Sequence, residues 1–253
     1  MELITIKNLE KKYSTHGTEN AVFALKDINL SIKENEFVAI MGESGSGKTT
    51  LLNMIATIDT PTKGTVFFQD IDLFSIKLNK REKYRQDNVG LIFQDFKLLD
   101  NFTLKENIIL PLVLKGYSYS DMQSKIKDIV SALALDSIIE KYPYEVSGGQ
   151  KQRAAIARAL IVKPKLLLAD EPTGSLDSKS SKSLLKLMQD INQKGQTIIM
   201  VTHSIKAASY ADKIIWLQDG RVYEQINRKE DKVIDMVKYL SNKIIELEEG
   251  DNE

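Results

Sequence analysis

The sequence predicts an α/β fold with a mainly parallel β-sheet that is covered by helices on both faces. Short apolar runs that suit buried strands occur at 37–41, 88–93, 166–169 and 197–201, and segments with helical spacing separate them. Strands that alternate with helices in this way favour a parallel sheet. From 95 to 159 the pattern is helical and lacks strands, which predicts a helical sub-lobe inserted into the α/β core.

The composition is typical of a globular chain that can bury a core, with 253 residues, 42% hydrophobic and 28% charged. The 35 Lys and Arg residues balance the 35 Asp and Glu residues. The chain therefore lacks the overall positive charge that would favour a nucleic-acid partner. There is no cysteine, and the two histidines are His16 and His203, which disfavours thiol catalysis and Cys- or His-rich metal sites. Residues 1–7 lack the apolar core of a secretory signal, and no run approaches the ~18 apolar residues of a membrane span. We therefore expect a cytoplasmic, water-soluble protein.

The N-terminal half begins with a predicted strand at 3–13 and a polar loop at 14–20. Apolar and polar residues alternate over 28–33, as in a half-buried strand, and 65–68 form another strand. A run of basic residues follows at Lys77, Lys80, Arg81, Lys83 and Arg85. Because the net charge is zero, a solvated helix face is favoured here over a nucleic-acid patch.

In the C-terminal half, Ser120 and Gln123 predict a capping box at the start of a helix with an apolar stripe. That stripe consists of Met122, Ile126, Ile129, Val130 and Leu133. Asp219-Gly220 predicts a hairpin between the last two strands. The charged tail 229–253 carries a second helical stripe of Val233, Met236, Val237, Leu240, Ile244 and Leu247. Such a stripe predicts a terminal helix that packs on its own domain or forms a dimer contact.

A glycine-rich loop follows the strand 37–41 and leads into a predicted helix. Its residues are Gly42, Glu43, Ser44, Gly45, Ser46, Gly47, Lys48 and Thr49. Strand, glycine-rich loop, Lys-Thr and helix in this order are typical of a P-loop, whose backbone N–H groups and helix N-terminus bind phosphates. Lys48 is expected to reach the β- and γ-phosphates, and the Thr49 hydroxyl to bind Mg²⁺. A chance turn is the alternative, and the flanking strand and helix favour nucleotide binding.

Two adjacent carboxylates, Asp170 and Glu171, end the apolar strand 166–169. Burying charged carboxylates at the end of a buried strand costs free energy unless cations or polar groups interact with them. Beside a P-loop, Asp170 is expected to hold Mg²⁺ and Glu171 to act as the general base toward an attacking water. A solvated acidic turn is the alternative.

A second anion-binding helix end is predicted at Ser147, Gly148, Gly149 and Gln150. Ser147 suits a helix N-cap, and the two glycines let a ligand approach the backbone closely. The following helix, over 150–160, carries Arg153 and Arg158, and its N-terminus attracts anions. Because one triphosphate rarely needs two such sites, two copies packed head to tail would place each site against the other copy's nucleotide.

Together these motifs resemble those of the ATP-binding subunit of an ABC transporter, over residues 3–228. The loop 42–49 matches the Walker A motif, 166–170 the Walker B motif and 146–150 the signature motif. The resemblance implies a P-loop NTPase (RecA-like) core with a mostly parallel sheet, an N-terminal antiparallel β part and an inserted helical sub-lobe. The implied divisions are an ATPase core of 1–94 and 160–228, a helical subdomain of 95–159, and a C-terminal helix or tail of 229–253.

The resemblance also implies roles for single residues. Tyr13 would stack on adenine, and Gln94 would contact Mg²⁺ and sense the permease. His203 would contact the γ-phosphate and the attacking water, and Asp177 would lie in the D-loop (175–177) at a dimer interface. The implied nucleotide-binding residues are Tyr13, Gly42, Glu43, Ser44, Gly45, Ser46, Gly47, Lys48, Thr49 and Thr50. The implied catalytic residues are Glu171, His203 and Gln94. The implied metal ligands are Thr49, Gln94 and Asp170. The residues that would act on the partner's ATP are Ser147, Gly148, Gly149 and Gln150.

Three positions depart from the family pattern. Glu43 stands where close relatives commonly have proline, which adds a negative charge near the phosphates, and we expect its side chain to point outward. Val146 replaces the usual leucine of the signature, and Asn35 replaces a common turn glycine. The change at Val146 is conservative, and we expect the change at Asn35 to be tolerated.

Shorter matches at 57–62, 93–100 and 207–210 resemble the antimicrobial-peptide-resistance branch of the bacitracin-export type, near the lipoprotein-release and macrolide-export ATPases. The implied protein is a homodimer that uses ATP and Mg²⁺ to power a separate integral-membrane permease, through which it would sit on the inner face of the membrane. A group of apolar residues beside Gln94 would form a groove for a permease helix or be buried in the sub-lobe: Phe96, Leu98, Leu99 and Phe102.

Alternatives within the family are the ATPase of a lipoprotein-release, macrolide-export or cell-division complex. A soluble, non-transport ATPase of the DNA-repair type is a further alternative. That type would need a long coiled-coil insertion, and only about 100 residues separate Lys48 from Ser147, too few to hold one.

Overall fold

A computed structural model describes residues 1–14, 21–228 and 232–250 of the chain. Part of the polar loop predicted at 14–20, including His16, lies outside the described residues, as does the side chain of Leu247. No helix in the described part of the chain is both long enough and apolar enough to cross a membrane.

The described residues form two sheets, and the larger one has six strands. In spatial order these are Arg221–Asn227 (β10), Lys213–Gln218 (β9), Phe37–Met41 (β3), Thr197–Thr202 (β8), Leu166–Asp170 (β7) and Val89–Ile92 (β6). From β9 to β6 all pairs are parallel, and only β10 is antiparallel to its neighbour. The β9–β10 turn is the predicted hairpin, with Asp219 and Gly220 both at positive φ. The mainly parallel sheet is therefore confirmed.

The parallel strands are apolar along their whole length because both of their faces are buried. In β3, Phe37, Ala39 and Met41 belong to a core cluster that includes the helical insertion. Val38 and Ile40 point to the opposite face and join a second cluster. Successive side chains of a strand alternate between its faces, so each strand contributes to both cores.

The second sheet is antiparallel and is built from the N-terminal third of the chain. Its spatial order is Ala21–Lys33 (β2), Glu2–Ser14 (β1), Lys63–Phe68 (β4) and Ile71–Asp72 (β5). Apolar residues of β1 and β2 pack into the same cluster as Val38 and Ile40. The antiparallel N-terminal part implied by the family resemblance is thus present.

Eight α-helices are described. They are Lys48–Ile55 (α1), Leu78–Asn88 (α2), Leu104–Leu114 (α3), Tyr119–Ala132 (α4), Gly148–Leu160 (α5), Ser178–Gln193 (α6), Ile205–Ala208 (α7) and Val233–Gly250 (α8). The segment between β6 and β7, all of which the structure describes, holds α3, α4 and α5 and no strand. This is the inserted helical sub-lobe. The exact domain bounds given above stay a prediction.

The predicted capping box at Ser120 and Gln123 is wrong. Helix α4 starts at Tyr119, and Ser118 is its N-cap, accepting a hydrogen bond from the backbone N of Asp121 at 3.2 Å. Gly116 turns the chain at a φ of 73° directly after α3. The next extended residue that can cap a helix is therefore Ser118, and Ser120 lies inside the first turn.

Helix α2 carries the basic run only partly as a solvated face. Lys77, Lys80 and Lys83 are exposed, as predicted. Arg81 and Arg85 instead donate to backbone carbonyl oxygens, Arg81 to Phe74 at 2.9 Å and Arg85 to Thr57 at 2.8 Å. These two arginines stabilise the loops on either side of β4 and β5.

Helix α8 packs on its own domain, the first of the two alternatives for the tail. Met236 and Leu240 are fully covered, and they join the cluster that contains Trp216 and Ile226. Lys243 forms an ion pair of 3.3 Å with Glu224 of β10.

Candidate functional site

The carboxyl ends of β3, β7 and β8 lie side by side and bring the predicted site residues to one edge of the sheet. Met41 pairs with Thr202, and Asp170 pairs with Val201. In a parallel sheet the loops that follow such strands emerge together. The glycine-rich loop 42–49 (the phosphate loop), the two carboxylates Asp170 and Glu171, and His203 therefore meet although they are distant in sequence.

The phosphate loop joins β3 to α1 and is shaped by its glycines. At Gly47, with a φ of 101°, a Cβ atom would lie 2.4 Å from the carbonyl oxygen of Ala24, so only glycine fits. Gly45, with a φ of 83°, has no atom within 4 Å of the corresponding position. The loop is thus packed against β2 on one side and open on the other, where its backbone N–H groups are accessible to an anion.

Lys48 begins α1 and curls back over its own loop. Its Nζ donates to the carbonyl oxygens of Gly42 at 2.9 Å and Glu43 at 2.5 Å. Burial lowers the pKa of Lys48, and the negative charges of Glu171, Asp170 and Glu43 oppose that shift. The ammonium group is therefore buried and held by two backbone carbonyl oxygens, and the charges of three carboxylates act on it.

Thr49 and Asp170, two of the three predicted metal ligands, lie beside each other. The Thr49 hydroxyl is 3.4 Å from Oδ1 of Asp170. Burial and the neighbouring charge of Glu171 raise the pKa of Asp170, while Thr49 and Lys48 act to lower it. Two oxygen ligands beside a phosphate site suit Mg²⁺, which uses few protein carboxylates and completes its shell with phosphates and waters. Across the described residues, no three His, Cys, Asp or Glu side chains are grouped to hold a metal by themselves.

Glu171 is fixed by the end of β8. Its Oε1 accepts a hydrogen bond from the backbone N of His203 at 3.0 Å and lies 2.7 Å from Nδ1 of the same residue. Its Oε2 accepts from the Thr202 hydroxyl at 3.2 Å. The backbone of Glu171 has a φ of 45°, an uncommon conformation for a non-glycine residue and one often found at functional sites. The carboxylate is held on several sides while the His203 ring is 71% exposed.

These residues line one cleft of about 560 Å³. Its walls include Gly45, Lys48, Thr49, Glu171 and His203. The arrangement combines an open loop backbone, a buried ammonium group and an oriented carboxylate, and these groups suit the transfer of a phosphoryl group to water.

The signature residues lie in a different cleft. Ser147 caps α5 and forms a capping box with Gln150, whose Oε1 accepts from the Ser147 backbone N at 2.9 Å. A cleft of about 450 Å³ is lined by Ser147, Gly149, Gln150 and Asp177 among others, and it shares no described residue with the phosphate-loop cleft. Asp177 caps α6 through the backbone N–H groups of residues 179 and 180. One chain therefore does not bring the signature onto its own phosphate loop.

Gln94 follows β6 and is exposed. The side chain of Gln94 lies against Gly174, where an added Cβ atom would be 3.0 Å from the Gln94 side-chain amide. The backbone carbonyl oxygen of Gln94 accepts a hydrogen bond from the Ser175 hydroxyl at 3.1 Å. Within the described residues no hydrogen bond joins Gln94 to Thr49 or Asp170. Its metal role stays a prediction.

Next to Gln94, Phe96 and Lys97 both adopt positive φ. Arg158 holds them by donating to the carbonyl oxygens of Phe96 at 2.9 Å and Lys97 at 2.6 Å. Leu99 and Phe102 remain 45% and 38% exposed, whereas Phe96 and Leu98 are half-buried. The predicted groove residues thus divide between surface and interior.

Tyr13 lies at the end of β1, 44% exposed. Its hydroxyl donates to Oδ2 of Asp59 at 2.8 Å, and Lys11 lies 4.8 Å from its ring centroid. Burial and the bond to Asp59 raise the pKa of Tyr13, and a hydrogen bond with Thr50 opposes the rise. Sequence reasoning did not identify Lys11 or Asp59, and the only signal was that Asp59 falls within the family-like segment 57–62.

Glu43 is exposed, as expected, although its charge acts on Lys48. It also lines a second cavity of about 450 Å³ beside the phosphate loop, together with Ser46, His203, Trp216 and Ile244.

Comparison with known proteins gives a consistent result. The family model described as "ABC transporter" matches residues 25–174. The chain is 44% identical to the ABC transporter ATP-binding protein YxdL of Bacillus subtilis, over 92% of this chain and 90% of that protein. It is 42% identical to the bacitracin export ATP-binding protein BceA of Halalkalibacterium halodurans, over 90% of each. A dimeric structure of the ATP-binding cassette MJ0796 bound to ADP and Pi superposes with a TM-score of 0.81 at 38% identity, covering 90% of this chain and 99% of that one.

Proposed function

The chain belongs to the ABC transporter family of ATP-binding proteins, and from this we propose that it is the ATP-hydrolysing subunit of a transporter whose membrane-spanning part is a separate permease. The observation that carries the proposal is the cleft in which Lys48, Thr49, Glu171 and His203 converge. The relatives that match over nine-tenths of their length are themselves ATP-binding proteins of transporters.

The phosphates of ATP would bind to the open side of the loop 42–49. Backbone N–H groups and the N-terminus of α1 supply partial positive charge, and Lys48 supplies a full one. Lys48 now donates to two carbonyl oxygens of its own loop and would exchange these for phosphate oxygens.

Thr49 and Asp170 would hold Mg²⁺, which would supply positive charge beside the phosphates. Glu171 would accept a proton from the attacking water as general base. His203 orients Glu171 through its backbone N and Nδ1, and its exposed ring would face the γ-phosphate side of the cleft. The tyrosine at position 13 would stack on the adenine base.

A second copy of the chain would complete each site. The signature residues Ser147 and Gly149 line a cleft that is separate from the phosphate loop, and the N-terminus of α5 has a positive partial charge. Two copies packed head to tail would put each signature on the other copy's γ-phosphate. The related cassette MJ0796 is a dimer, which supports this arrangement.

The permease would dock beside Gln94. Leu99 and Phe102 form an exposed apolar surface there, and Arg158 connects the adjacent backbone to α5. Movement of the permease-contacting loop would therefore reach the signature helix. Such docking would keep the protein on the cytoplasmic face of the membrane.

Antimicrobial-peptide resistance or sensing of the bacitracin type is the branch that we favour, because BceA is 42% identical over nine-tenths of both chains. The macrolide export protein MacB of Campylobacter jejuni is 41% identical, but this chain corresponds to only 34% of its length. Deletion of the gene is expected to increase sensitivity to bacitracin. Unchanged sensitivity to bacitracin with increased sensitivity to macrolides would instead support the macrolide-export alternative.

The ATPase assignment is tested with Glu171→Gln in the full-length chain. This variant is expected to bind ATP, to lose turnover by about 10²- to 10⁴-fold because the general base is removed, and to elute as a dimer on size exclusion with ATP. Lys48→Ala is the matched control, which should lose turnover without forming a dimer because phosphate binding is lost. Rapid turnover by Glu171→Gln without a dimer would refute the assignment.

A further inference from the structure

Three residues from two distant segments form a connected cluster around Tyr13. Tyr13 donates to Oδ2 of Asp59 at 2.8 Å, and Lys11 Nζ lies 2.7 Å from Oδ1 of the same carboxylate. Lys11 also lies 4.8 Å from the centroid of the Tyr13 ring. The side chain of Lys11 is only 12% exposed and that of Asp59 30%. The ion pair is therefore largely covered.

The turn that carries Asp59 is fixed on several sides. The backbone N of Thr60 donates to Asp59 Oδ1 at 2.6 Å, and Lys11 Nζ donates to the Thr60 carbonyl oxygen at 2.8 Å. Thr62 forms two hydrogen bonds with β1: its backbone N donates to the carbonyl oxygen of Glu10, and its hydroxyl accepts from the backbone N of Lys12. The carboxylate is thus held in place before any ligand arrives.

The charge state of the cluster is also defined. Burial acts to raise the pKa of Asp59, but the hydrogen bonds from Lys11, Tyr13 and Thr60 outweigh it, and the pKa lies below its ordinary value. Asp59 is therefore ionised at neutral pH, which makes it a strong acceptor for the Tyr13 hydroxyl.

Lys11 determines which face of the Tyr13 ring is available. An ammonium group over one face of an aromatic ring is a favourable contact, and it occupies that face. Tyr13 is nevertheless 44% exposed, so accessible ring surface remains for a ligand. The Tyr13 hydroxyl lies beside Thr50, and Thr50 lines the phosphate-loop cleft, so the hydroxyl end of Tyr13 borders that cleft.

We propose that Asp59 and Lys11 are positioning residues that hold Tyr13 ready to stack on the base of the nucleotide. The proposal rests on the proposed function, in which Tyr13 stacks on the base, and adds the two residues that hold the ring. Asp59 follows α1 by a short turn, and α1 begins with Lys48. One helix therefore links the phosphate-binding end of the site to the residue that orients the ring.

We expect the cluster to increase the affinity for the nucleotide by holding the Tyr13 ring in place before binding. An exposed tyrosine at a strand end has rotamer freedom that is lost when it stacks on a base, and a ring that is already fixed loses less. The cluster should strengthen binding of the base without affecting binding of the phosphates. That separation provides the test.

The experiment compares dissociation constants of the full-length chain for ADP and for inorganic pyrophosphate, both with Mg²⁺, by titration calorimetry. ADP is not hydrolysed and carries the base, whereas pyrophosphate tests the phosphate loop alone. We expect Asp59→Ala to weaken ADP binding about 3- to 10-fold and Tyr13→Ala about 5- to 100-fold. Pyrophosphate binding should stay unchanged in both variants.

The double variant shows whether Asp59 acts through Tyr13. In a Tyr13→Ala background, Asp59→Ala should weaken ADP binding no further, since there is no ring left to position. Lys11→Met should resemble Asp59→Ala. Asp136→Ala, which alters an exposed carboxylate in the helical insertion, is the matched control and should change nothing.

Tyr13→Phe keeps the ring, removes only the hydroxyl, and provides a second measurement in case Asp59→Ala fails to fold. It should weaken ADP binding about 2- to 5-fold and leave pyrophosphate binding unchanged. Unchanged ADP binding in Tyr13→Phe, or equal weakening of ADP and pyrophosphate binding in Asp59→Ala, would overturn the positioning role while leaving the ATPase assignment intact. A wild-type chain that binds neither ligand would overturn both.

Discussion

His203 contacts Glu171 through two of its atoms, its backbone N and its ring Nδ1, which lie 3.0 and 2.7 Å from the same carboxylate oxygen. The first contact depends only on the path of the backbone after β8, and the second depends on the side chain. The Thr202 hydroxyl holds the other carboxylate oxygen at 3.2 Å. Replacing the His203 side chain therefore leaves Glu171 partly held.

We expect His203→Ala to lower ATP turnover by about 10²-fold or more, because the ring that contacts Glu171, and that we propose to face the attacking water, is lost. ADP affinity should change less than about threefold, since the phosphate loop does not depend on the ring. Steady-state phosphate release and ADP titration measure the two quantities. Lys206→Ala, an exposed change in α7, serves as the control. Turnover within about twofold of wild type in His203→Ala would contradict the role.

Glu43→Gln should tighten nucleotide binding. The carboxylate of Glu43 is exposed, yet its charge acts on Lys48 in the phosphate loop. The same negative charge would therefore repel the phosphates of a bound nucleotide. We expect ADP affinity to rise about 2- to 5-fold at low ionic strength and the difference to shrink in high salt, as screening requires. Titrations at two salt concentrations measure this.

Glu82→Gln, an exposed change in α2, is the control for the loss of one negative charge. If both variants behave alike, the effect belongs to net charge and not to the phosphate loop. Weaker binding by Glu43→Gln would show instead that the Glu43 side chain supports the loop.

The meeting of Lys48, Asp170 and His203 could be predicted from the sequence because each lies at or shortly after the end of a buried strand, and parallel strands end at a common edge. The pairing of Tyr13 with Asp59 could not. The two are 46 residues apart, and their contact depends on how a loop after α1 lies along β1. No local pattern encodes such a relation.

Errors of the sequence analysis arose where several residues have equal local preference. Ser118 and Ser120 are both good N-caps, and the turn at Gly116 decides between them. Arg85 was expected to be solvated by its charge, but its guanidinium finds the carbonyl oxygen of Thr57. In both cases the tertiary path of a neighbouring segment decides the outcome.

Tyr84→Phe is expected to stabilise the protein. The Tyr84 side chain is buried, and no residue that the structure describes forms a hydrogen bond with its hydroxyl. Burial raises the pKa of this phenol well above its ordinary value. A buried hydroxyl without a partner is unfavourable, so its removal should raise the free energy of unfolding by about 1 kcal/mol.

Thermal unfolding and urea titration measure this change. Phe at this position keeps the edge-to-face contact with Phe68, whose ring centroid is 5.0 Å away. Tyr84→Leu loses that contact and should destabilise the protein by about 1–3 kcal/mol. A Tyr84→Phe variant that unfolds more readily than wild type would contradict the prediction, because it would reveal a partner for the hydroxyl.

Leu240→Ala tests whether the C-terminal helix belongs to the folded domain. Leu240 and Met236 are fully covered in a cluster that also contains Trp216 of β9 and Ile226 of β10. Removing the Leu240 side chain leaves a cavity in that cluster, and we expect the free energy of unfolding to fall by about 2–5 kcal/mol. Ile234 lies on the same helix but is 59% exposed, so Ile234→Ala should cost at most about 0.5 kcal/mol. Urea titrations at low protein concentration separate this packing from a dimer contact, because a helix stripe that served only the dimer would leave both variants equally stable as monomers.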